Sequence, residues 1–393
     1  MAAAILALNA GSSSVKLALF DRDRGGRMQA RLRGSLSGIG GDASHFQVKD
    51  AQGEIVADQR WPEASIEQVT DRLLAWIDDH LGDHTLAGVG HRVLHGGRAF
   101  SAPVLIDPEI LACLDALTPL APLHQPANLA PIRHLVARRP ELPQVACFDT
   151  AFHHGIGAPA SRYALPRALE ADGIRRYGFH GLSYEAIAGK LRAIDDGALS
   201  DRIIVAHLGN GASLCAMSGL QSVDTTMGFT ALDGIMMGTR PGALDPGILL
   251  YLMQAKGYDA ARIEHLLYHE SGLLGVSGGS SDVAALLASD RREAREALDL
   301  FAFLVARHAA ALAATLGGLD RFVFTGGIGE HAWQVRAMIA DRLAWMGARL
   351  DAEANRAGSG TISHAGAGLR LQVIATDEEG VIAAHVATLL DRP

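Results

Sequence analysis

The sequence predicts an α/β protein, and three observations carry that prediction. Apolar strand-like runs alternate with amphipathic helical segments along the whole chain. A strand, a tight turn of small polar residues and a second strand open the chain and recur near residue 202. The length, 393 residues, gives room for two domains of ordinary size or one large one, with ample core.

The opening stretch Ile5–Phe20 reads ILALNAGSSSVKLALF. Strand formers flank Asn9-Ala10-Gly11-Ser12-Ser13-Ser14, and Lys16 follows at once, a hairpin with small donors and one cation at its turn. Backbone N–H groups and hydroxyls there can approach a phosphate with no bulky side chain in the way. A Gly/Ser hairpin is more often plain surface, so its meaning depends on what else the chain carries. Ser65–Leu81 places Ile66, Val69, Leu73, Trp76 and Ile77 on one helical face, with Ser65 and Gln68 spaced as a capping box. A strand then runs through Gly88–Val93 to His95-Gly96-Gly97, Pro119–Pro131 reads as a proline-rich loop leading into a helix, and Gln144–Asp149 as a short buried strand.

The pattern restarts near residue 150. Arg202–Leu208 is an apolar strand that ends at Gly209-Asn210-Gly211-Ala212-Ser213, and Leu214–Met217 resumes it. This is a weak internal repeat of the opening hairpin, and chance similarity of two hairpins is the competing explanation. Arg321–Phe324 is a third strand, followed by Thr325-Gly326-Gly327-Ile328-Gly329-Glu330 and an amphipathic helix, a natural seat for an anion.

Composition narrows the function. Apolar residues make up 49% of the chain and charged residues 20%, the profile of a folded globular protein. A net charge of −8 argues against a nucleic-acid partner, which requires a basic face. Cys113, Cys147 and Cys215 are sparse and odd in number, which fits reduced thiols and a cytoplasmic location. The apolar run Phe301–Leu316 is interrupted by Arg307 and His308, is too short to span a bilayer, and reads as a buried helix, so no membrane partner is expected.

Several residues carry chemistry. No GxxxxGK[ST] motif is present. Gly327-Ile328-Gly329-Glu330-His331-Ala332 matches a dinucleotide fingerprint but lies late in the chain without its acidic partner, which makes a dehydrogenase a poor second reading. His91 and His95 sit beside a strand and a Gly-Gly pair, not on a helix, and do not read as a zinc pair. Arg92 and Arg240 lie among small residues that would admit a planar anion, although a lone arginine is usually just solvated. His180 occupies an aromatic and glycine setting, where a structural histidine is an equal alternative. Asp149 ends a buried strand, and Glu378 closes another, Leu371–Ala375, where a carboxylate suits Mg²⁺ although a solvated turn is commoner. Glycine-rich strand ends, two arginines, a lysine, a histidine and carboxylates together describe phosphoryl transfer between anions.

With these residues in view, the chain resembles the acetate kinase family of short-chain acyl kinases, within the sugar kinase, heat-shock-protein-70 and actin superfamily. NAGSSSVK, GHRVLHGG, FDTAFH, YGFHG, HLGNGAS, MGTR, ESGLLG and FTGGIGE occur in the family's order, essentially end to end. The resemblance implies two ribonuclease-H-like, actin-like ATPase domains with an active-site cleft between them, divided as 1–150 and 151–379, with a C-terminal helix at 380–393 on the first. It implies a homodimer, Mg²⁺ (or Mn²⁺) as cofactor, ATP as donor and acetate as acceptor, giving acetyl phosphate and ADP by direct in-line transfer. Propionate or butyrate kinase is the near alternative, and a non-catalytic nucleotide-binding protein the distant one.

Carried over by motif, Arg92, Asp149, His180 and Arg240 would be catalytic, with Arg92 also holding the acyl carboxylate. Leu94, Leu123, Phe179 and Ala231 would line the acyl pocket. Ser12, Ser14 and Lys16 with His207, Gly209, Asn210 and Gly211 would surround the phosphates, while Asp282, Gly327, Ile328 and Gly329 would meet the rest of the nucleotide. Asn9 and Glu378 would hold the metal. The chain departs from the family at Pro241-Gly242-Ala243 after the MGTR arginine, at Leu94 and Ala231 (valine and proline are familiar there), at Val283 and Ala284 beside the adenine, and at Asp377 in place of asparagine. Single changes in an acyl pocket shift selectivity by only about 1–3 kcal/mol, so they do not decide between acetate and propionate and acetate stays the default, while Val283 and Ala284 imply a relaxed choice of base.

Overall fold

The computed structural model describes residues 2–11, 14–22, 28–39, 43–62 and 65–392, without the Ala2 side chain. Ser12, expected at the first phosphate turn, therefore lies outside the described residues. The chain forms two compact units, residues 1–152 with 377–393, and residues 153–376.

The first unit carries β1 (Ala2–Ala10), β2 (Ser14–Arg22), β3 (Met28–Ser37), β4 (Ala43–Asp50), β5 (Ile55–Pro62), β6 (His84–Val93), β7 (Val104–Leu105) and β8 (Gln144–Phe148). They build one sheet in the order β5-β4-β3-β2-β1-β6-β8-β7. Its helices are α1 (Ile66–Asp79), α2 (Pro108–Ala116), α3 (Gln125–Arg138) and, from the far end of the chain, α14 (Glu378–Leu390). The opening hairpin forms as read: β1 and β2 are antiparallel with Asn9 opposite Lys16, and the Gly11 N–H donates to the Ser14 carbonyl at 2.7 Å. The capping box of α1 is present, with Ser65 accepting from the Gln68 N–H and the Gln68 side chain accepting from the Ser65 N–H. Val69, Leu73 and Ile77 face a core built with Leu6, Leu8, Leu17, Phe46 and Trp61.

Helix α14 lies directly against β6. A Cβ on Gly88 would meet Leu390 and Val386 at 3.1 Å, and one on Gly90 would collide with Ile382 and Val386. Bare backbone at these two positions is what lets the helix seat on the sheet. One expectation needs correction here. Pro119–Pro131 is not a loop throughout: α3 begins at Gln125, with Pro126 in its first turn and Pro131 buried inside it. A proline inside a helix forfeits a backbone hydrogen bond, and here burial of Leu129, Ile132 and Leu135 beside it favours the helix nonetheless.

The second unit carries β9 (Ile203–Leu208), β10 (Ala212–Ser218), β11 (Gln221–Thr225), β12 (Arg321–Thr325), β13 (Gly360–Thr361) and β14 (Arg370–Val373), in the order β11-β10-β9-β12-β14-β13. Its helices are α4 (Arg167–Ala171), α5 (Gly181–Ile194), α6 (Pro246–Lys256), α7 (Ala260–His269), α8 (Gly272–Ser277), α9 (Val283–Leu287), α10 (Arg292–Leu316), α11 (Gly326–His331), α12 (Trp333–Arg342) and α13 (Ala352–Ala357). The suspected repeat is visible as topology. The run β3-β2-β1-β6-β8 of the first sheet has the connectivity of β11-β10-β9-β12-β14 in the second, each with a hairpin on one side and parallel strands on the other.

Helix α10 is longer than the apolar run Phe301–Leu316 suggested, because its first turns are charged. By length and composition it could cross a membrane, yet Phe301, Val305, Ala309 and Leu312 are buried against the rest of the unit, the pattern of a core helix. The glycines Gly326–Gly329, read as a turn, form the start of α11 itself. Glu378 does not close a strand: β14 ends at Val373, and Glu378 is the first residue of α14.

Candidate active site

The chemistry-bearing side chains fall into two groups, one within each unit. In the first, β1, β6, β8 and the start of α14 bring together Asn9, Arg92, Asp149 and Glu378. The Arg92 Nε donates to Asp149 Oδ2 at 3.0 Å, Nη2 donates to the same oxygen, and Nη1 reaches Asn9 Oδ1 at 3.5 Å. Asp149 is buried, and 17% of the Arg92 side chain reaches solvent. Burial works against the Arg92 charge, but the Asp149 carboxylate more than offsets it, so the guanidinium is held above its ordinary range.

Glu378 accepts from Asn9 Nδ2 at 3.0 Å. Burial pushes its carboxyl above the usual range, Arg92 and Lys16 oppose that push, and Asp149 adds to it. Glu379 is raised as well, by burial and then by Glu378. Two neighbouring half-buried carboxyls with raised affinity for protons are a place where a cation would be welcome. No cluster of three or more His, Cys, Asp or Glu suited to a metal exists among the described residues. Mg²⁺ does not need one, because it commonly binds through one or two carboxylates with water and substrate phosphates completing the shell. Glu378 and the Asn9 amide fit that role. Lys16 is exposed across the hairpin from Asn9, Leu94 is buried, and Leu123 is 39% exposed.

The second group sits on the β9–β10 turn, the N-terminus of α5 and the loop before α6. His180 precedes α5 in the left-handed region, φ +60°, a conformation that costs a side-chain-bearing residue about 1–2 kcal/mol. Tertiary contacts hold it there. His153, buried and neutral with its pKa lowered to about 4 by desolvation, bridges the Ser222 hydroxyl at 2.8 Å and the Phe179 carbonyl at 3.0 Å. The His180 Nδ1 meets Ser213 Oγ at 2.8 Å, and the His180 ring stacks on His207 with centroids 4.4 Å apart. His207 in turn meets Ser183 Oγ through Nδ1 at 2.8 Å.

Arg240 donates from Nη1 to the Ala231 carbonyl at 2.7 Å. A Cβ placed on Gly211 would lie 2.8 Å from Arg240 Nη2 and 3.2 Å from His180 Nε2. Two nitrogens thus converge on the space that this glycine leaves open. The turn is fixed by the Gly209 N–H donating to the Gly211 carbonyl at 3.1 Å and the Gly238 N–H donating to the Asn210 carbonyl at 2.9 Å. Phe179 and Ala231 are buried in this unit. Asp282 spends one carboxylate oxygen capping α9 through the Ala284 N–H, and Val283 is buried in that helix. Gly327, Ile328 and Gly329 lie in α11, whose last carbonyls accept from the buried Arg336.

Sequence reasoning missed Ser213, Tyr184, Ser183, His153 and Arg336. Ser213 closes the quoted HLGNGAS stretch, and Tyr184 stands one helical turn after His180, so spacing alone could have drawn attention to both.

The family model described as the acetokinase family matches residues 4–384. The chain belongs to the acetokinase family. It is 49% identical to an acetate kinase of Rhodopseudomonas palustris over 395 residues, covering 100% of this chain and 99% of that protein. It is 47% identical to an acetate kinase of Nitrobacter hamburgensis, covering 98% and 96%. Among solved structures, a propionate kinase from Francisella tularensis superposes with a TM-score of 0.89 at 36% identity, covering 98% of each chain. The acetate kinase of Porphyromonas gingivalis gives 0.86 at 34% identity, covering 99% of this chain and 100% of that one. The fold is accordingly the two-domain, actin-like ATPase fold, and this acetokinase family member is a phosphotransferase that binds ATP.

Proposed function

We propose that this chain transfers the terminal phosphoryl group of ATP to the carboxylate of acetate, reversibly and in line, giving acetyl phosphate and ADP. The observation that carries the reading is the convergence of Arg240 Nη2 and His180 Nε2 over the bare backbone of Gly211. Two nitrogens around a gap that only a glycine leaves open suit a phosphoryl oxygen. The acceptor carboxylate is ionised at neutral pH, so no general base is required. The obstacle is repulsion between two anions, which positive charge and fixed donors reduce.

In this reading Arg92, oriented by Asp149, holds the acyl carboxylate, while His180 and Arg240 stabilise charge on the moving phosphoryl group. Ser14 and Lys16, with His207, Gly209, Asn210 and Gly211, steady the other phosphate oxygens. Asp282, Gly327, Ile328 and Gly329 meet the nucleoside. Asn9 and Glu378 would hold Mg²⁺, or Mn²⁺ in its place, whose contribution is to neutralise phosphate charge. Leu94, Leu123, Phe179 and Ala231 supply the acyl pocket. The leucine adds a methylene relative to valine and the alanine removes bulk relative to proline, so propionate or butyrate stays the alternative acceptor, and relative kcat/KM across short carboxylates ranks them.

We place the enzyme in the cytoplasm and propose that it works as a homodimer. Helix α6 supports the dimer: Ile248, Leu250, Tyr251 and Met253 are each exposed, and no residue of the helix is buried. A helix apolar on every side is a helix that something covers. Asp245 caps its start and Lys256 occupies its last turn, so two copies lying antiparallel would match opposite charges.

Hydroxylamine trapping tests the activity directly. With ATP, Mg²⁺ and acetate the protein should generate acetyl hydroxamate. No hydroxamate from acetate, propionate or butyrate would overturn the proposal.

A further inference from the structure

The side chains behind His180 form a chain of hydroxyls that ends on its ring. Tyr184 is fully buried in α5, and its hydroxyl lies 2.5 Å from Ser213 Oγ on β10. Ser213, also fully buried, lies 2.8 Å from His180 Nδ1. Three polar groups in a row, the first two fully buried, have few ways to place their protons. The phenol is the more acidic hydroxyl and gives its proton to Ser213 Oγ. An oxygen that has accepted one hydrogen bond becomes a better donor, so Ser213 passes its own proton toward Nδ1. A neutral imidazole that accepts at Nδ1 carries its hydrogen at Nε2. Nε2 is the nitrogen that faces the space above Gly211 beside Arg240.

We propose that Tyr184 and Ser213 are positioning residues that lock His180 in the Nε2–H tautomer, so that it presents a donor and never a lone pair to the phosphoryl oxygen. The inference rests on the reading of His180 as the group that hydrogen-bonds the transferring phosphoryl. A lone pair at Nε2 would repel an anionic oxygen, so relaxing the tautomer removes a stabilising contact from some molecules and adds a repulsive one. The left-handed backbone of His180 belongs to the same device. Held by the His153 hydrogen bond to the neighbouring carbonyl, it keeps the ring edge on Ser213.

The test combines kinetics with the protonation state of the ring. In the full-length protein labelled with ¹⁵N-histidine, the His180 signal is assigned by its loss in His180→Asn. Wild type should show Nδ1 unprotonated and Nε2 protonated. Tyr184→Phe, which removes one oxygen and keeps the packing, should show a second population with hydrogen on Nδ1, and Ser213→Ala should show more of it. Both should lower kcat about tenfold, the scale of one hydrogen bond to a charged group, with KM for acetate and ATP within twofold of wild type. The double variant should be little worse than Ser213→Ala alone, because both act through one ring nitrogen. A wild-type ring protonated at Nδ1 would overturn the relay. So would unchanged tautomers and kcat in both variants while His180→Ala loses activity. If His180→Ala itself kept full activity, the underlying reading of His180 would fall instead, which separates the two failures.

Discussion

Arg92 gives two of its N–H groups to a single oxygen of Asp149, a carboxylate that is almost wholly buried. The arrangement ties stability to activity at one point. Arg92→Ala should lower kcat by about 10²–10³, the cost of one preorganised donor. It should also destabilise the protein by about 3–5 kcal/mol, because Asp149 is left as an uncompensated buried charge. Arg240→Ala should lose similar activity, since it forfeits the second nitrogen beside His180 over Gly211. Steady-state rates on both variants and calorimetry on Arg92→Ala measure this, and an Arg92→Ala melting temperature equal to that of wild type would contradict the pairing with Asp149.

Glu378 pulls in the other direction. Its carboxyl is half-buried, feels Glu379 and Asp149, and is held above its ordinary range chiefly by desolvation. Glu378→Gln keeps the shape and an oxygen for Asn9 Nδ2 while removing the charge. Measured without divalent metal, its melting temperature should equal or exceed that of wild type, and its kcat should fall about a hundredfold or more. A variant that is both less stable and still active would refute the role given to this residue.

Stability should fall in mild acid. His91, His95 and His153 are buried, and desolvation lowers each to about 4, against about 6.5 for an exposed histidine. Between those values the unfolded chain binds protons that the folded chain does not. Stability is therefore complete above about pH 6.5 and is lost as pH drops toward 4, with a slope approaching about 1.4 kcal/mol per pH unit for each histidine. Denaturant titrations from pH 7.5 to 4.5 measure this, and a flat profile would exclude it. Replacing His91 by Gln should flatten the slope by about one histidine's share.

The α6 face offers a fourth check. Leu250 and Tyr251 are 55% and 56% exposed. Leu250→Lys together with Tyr251→Lys should yield a folded monomer by light scattering where wild type is a dimer. A dimer that survives both changes would place the interface elsewhere.

Much of this architecture was written in short-range pattern. The hairpin at Asn9–Lys16, the Ser65–Gln68 capping box and the strand Gln144–Phe148 all follow from alternation, turn chemistry or spacing within a few residues. What escaped depends on distant partners. Pro131 stays helical because α3 is buried beneath it, which no local propensity records. The first nine residues of α10 are charged on one face and apolar on the other, so the apolar run Phe301–Leu316 marks only the rest of the helix. The contact of Ser213 with Tyr184 joins β10 to α5, and residues 29 apart in sequence give no sign that they touch.

Helix α14 has a consequence for how the molecule comes into being. Its contacts are with β1, β2, β3, β6 and β8, strands laid down before residue 150, yet it is made only after the whole of the second unit. Residues 153–376 can complete their own sheet while the first unit still lacks the helix that covers Gly88 and Gly90. At the usual pace of synthesis that wait is about 10–45 s. Glu378 travels on the same helix, so the carboxylate assigned to the metal reaches Asn9 only when the sheet is finally closed. A chain that has not yet reached α14 can complete one of its two units while Asn9 still waits for its partner.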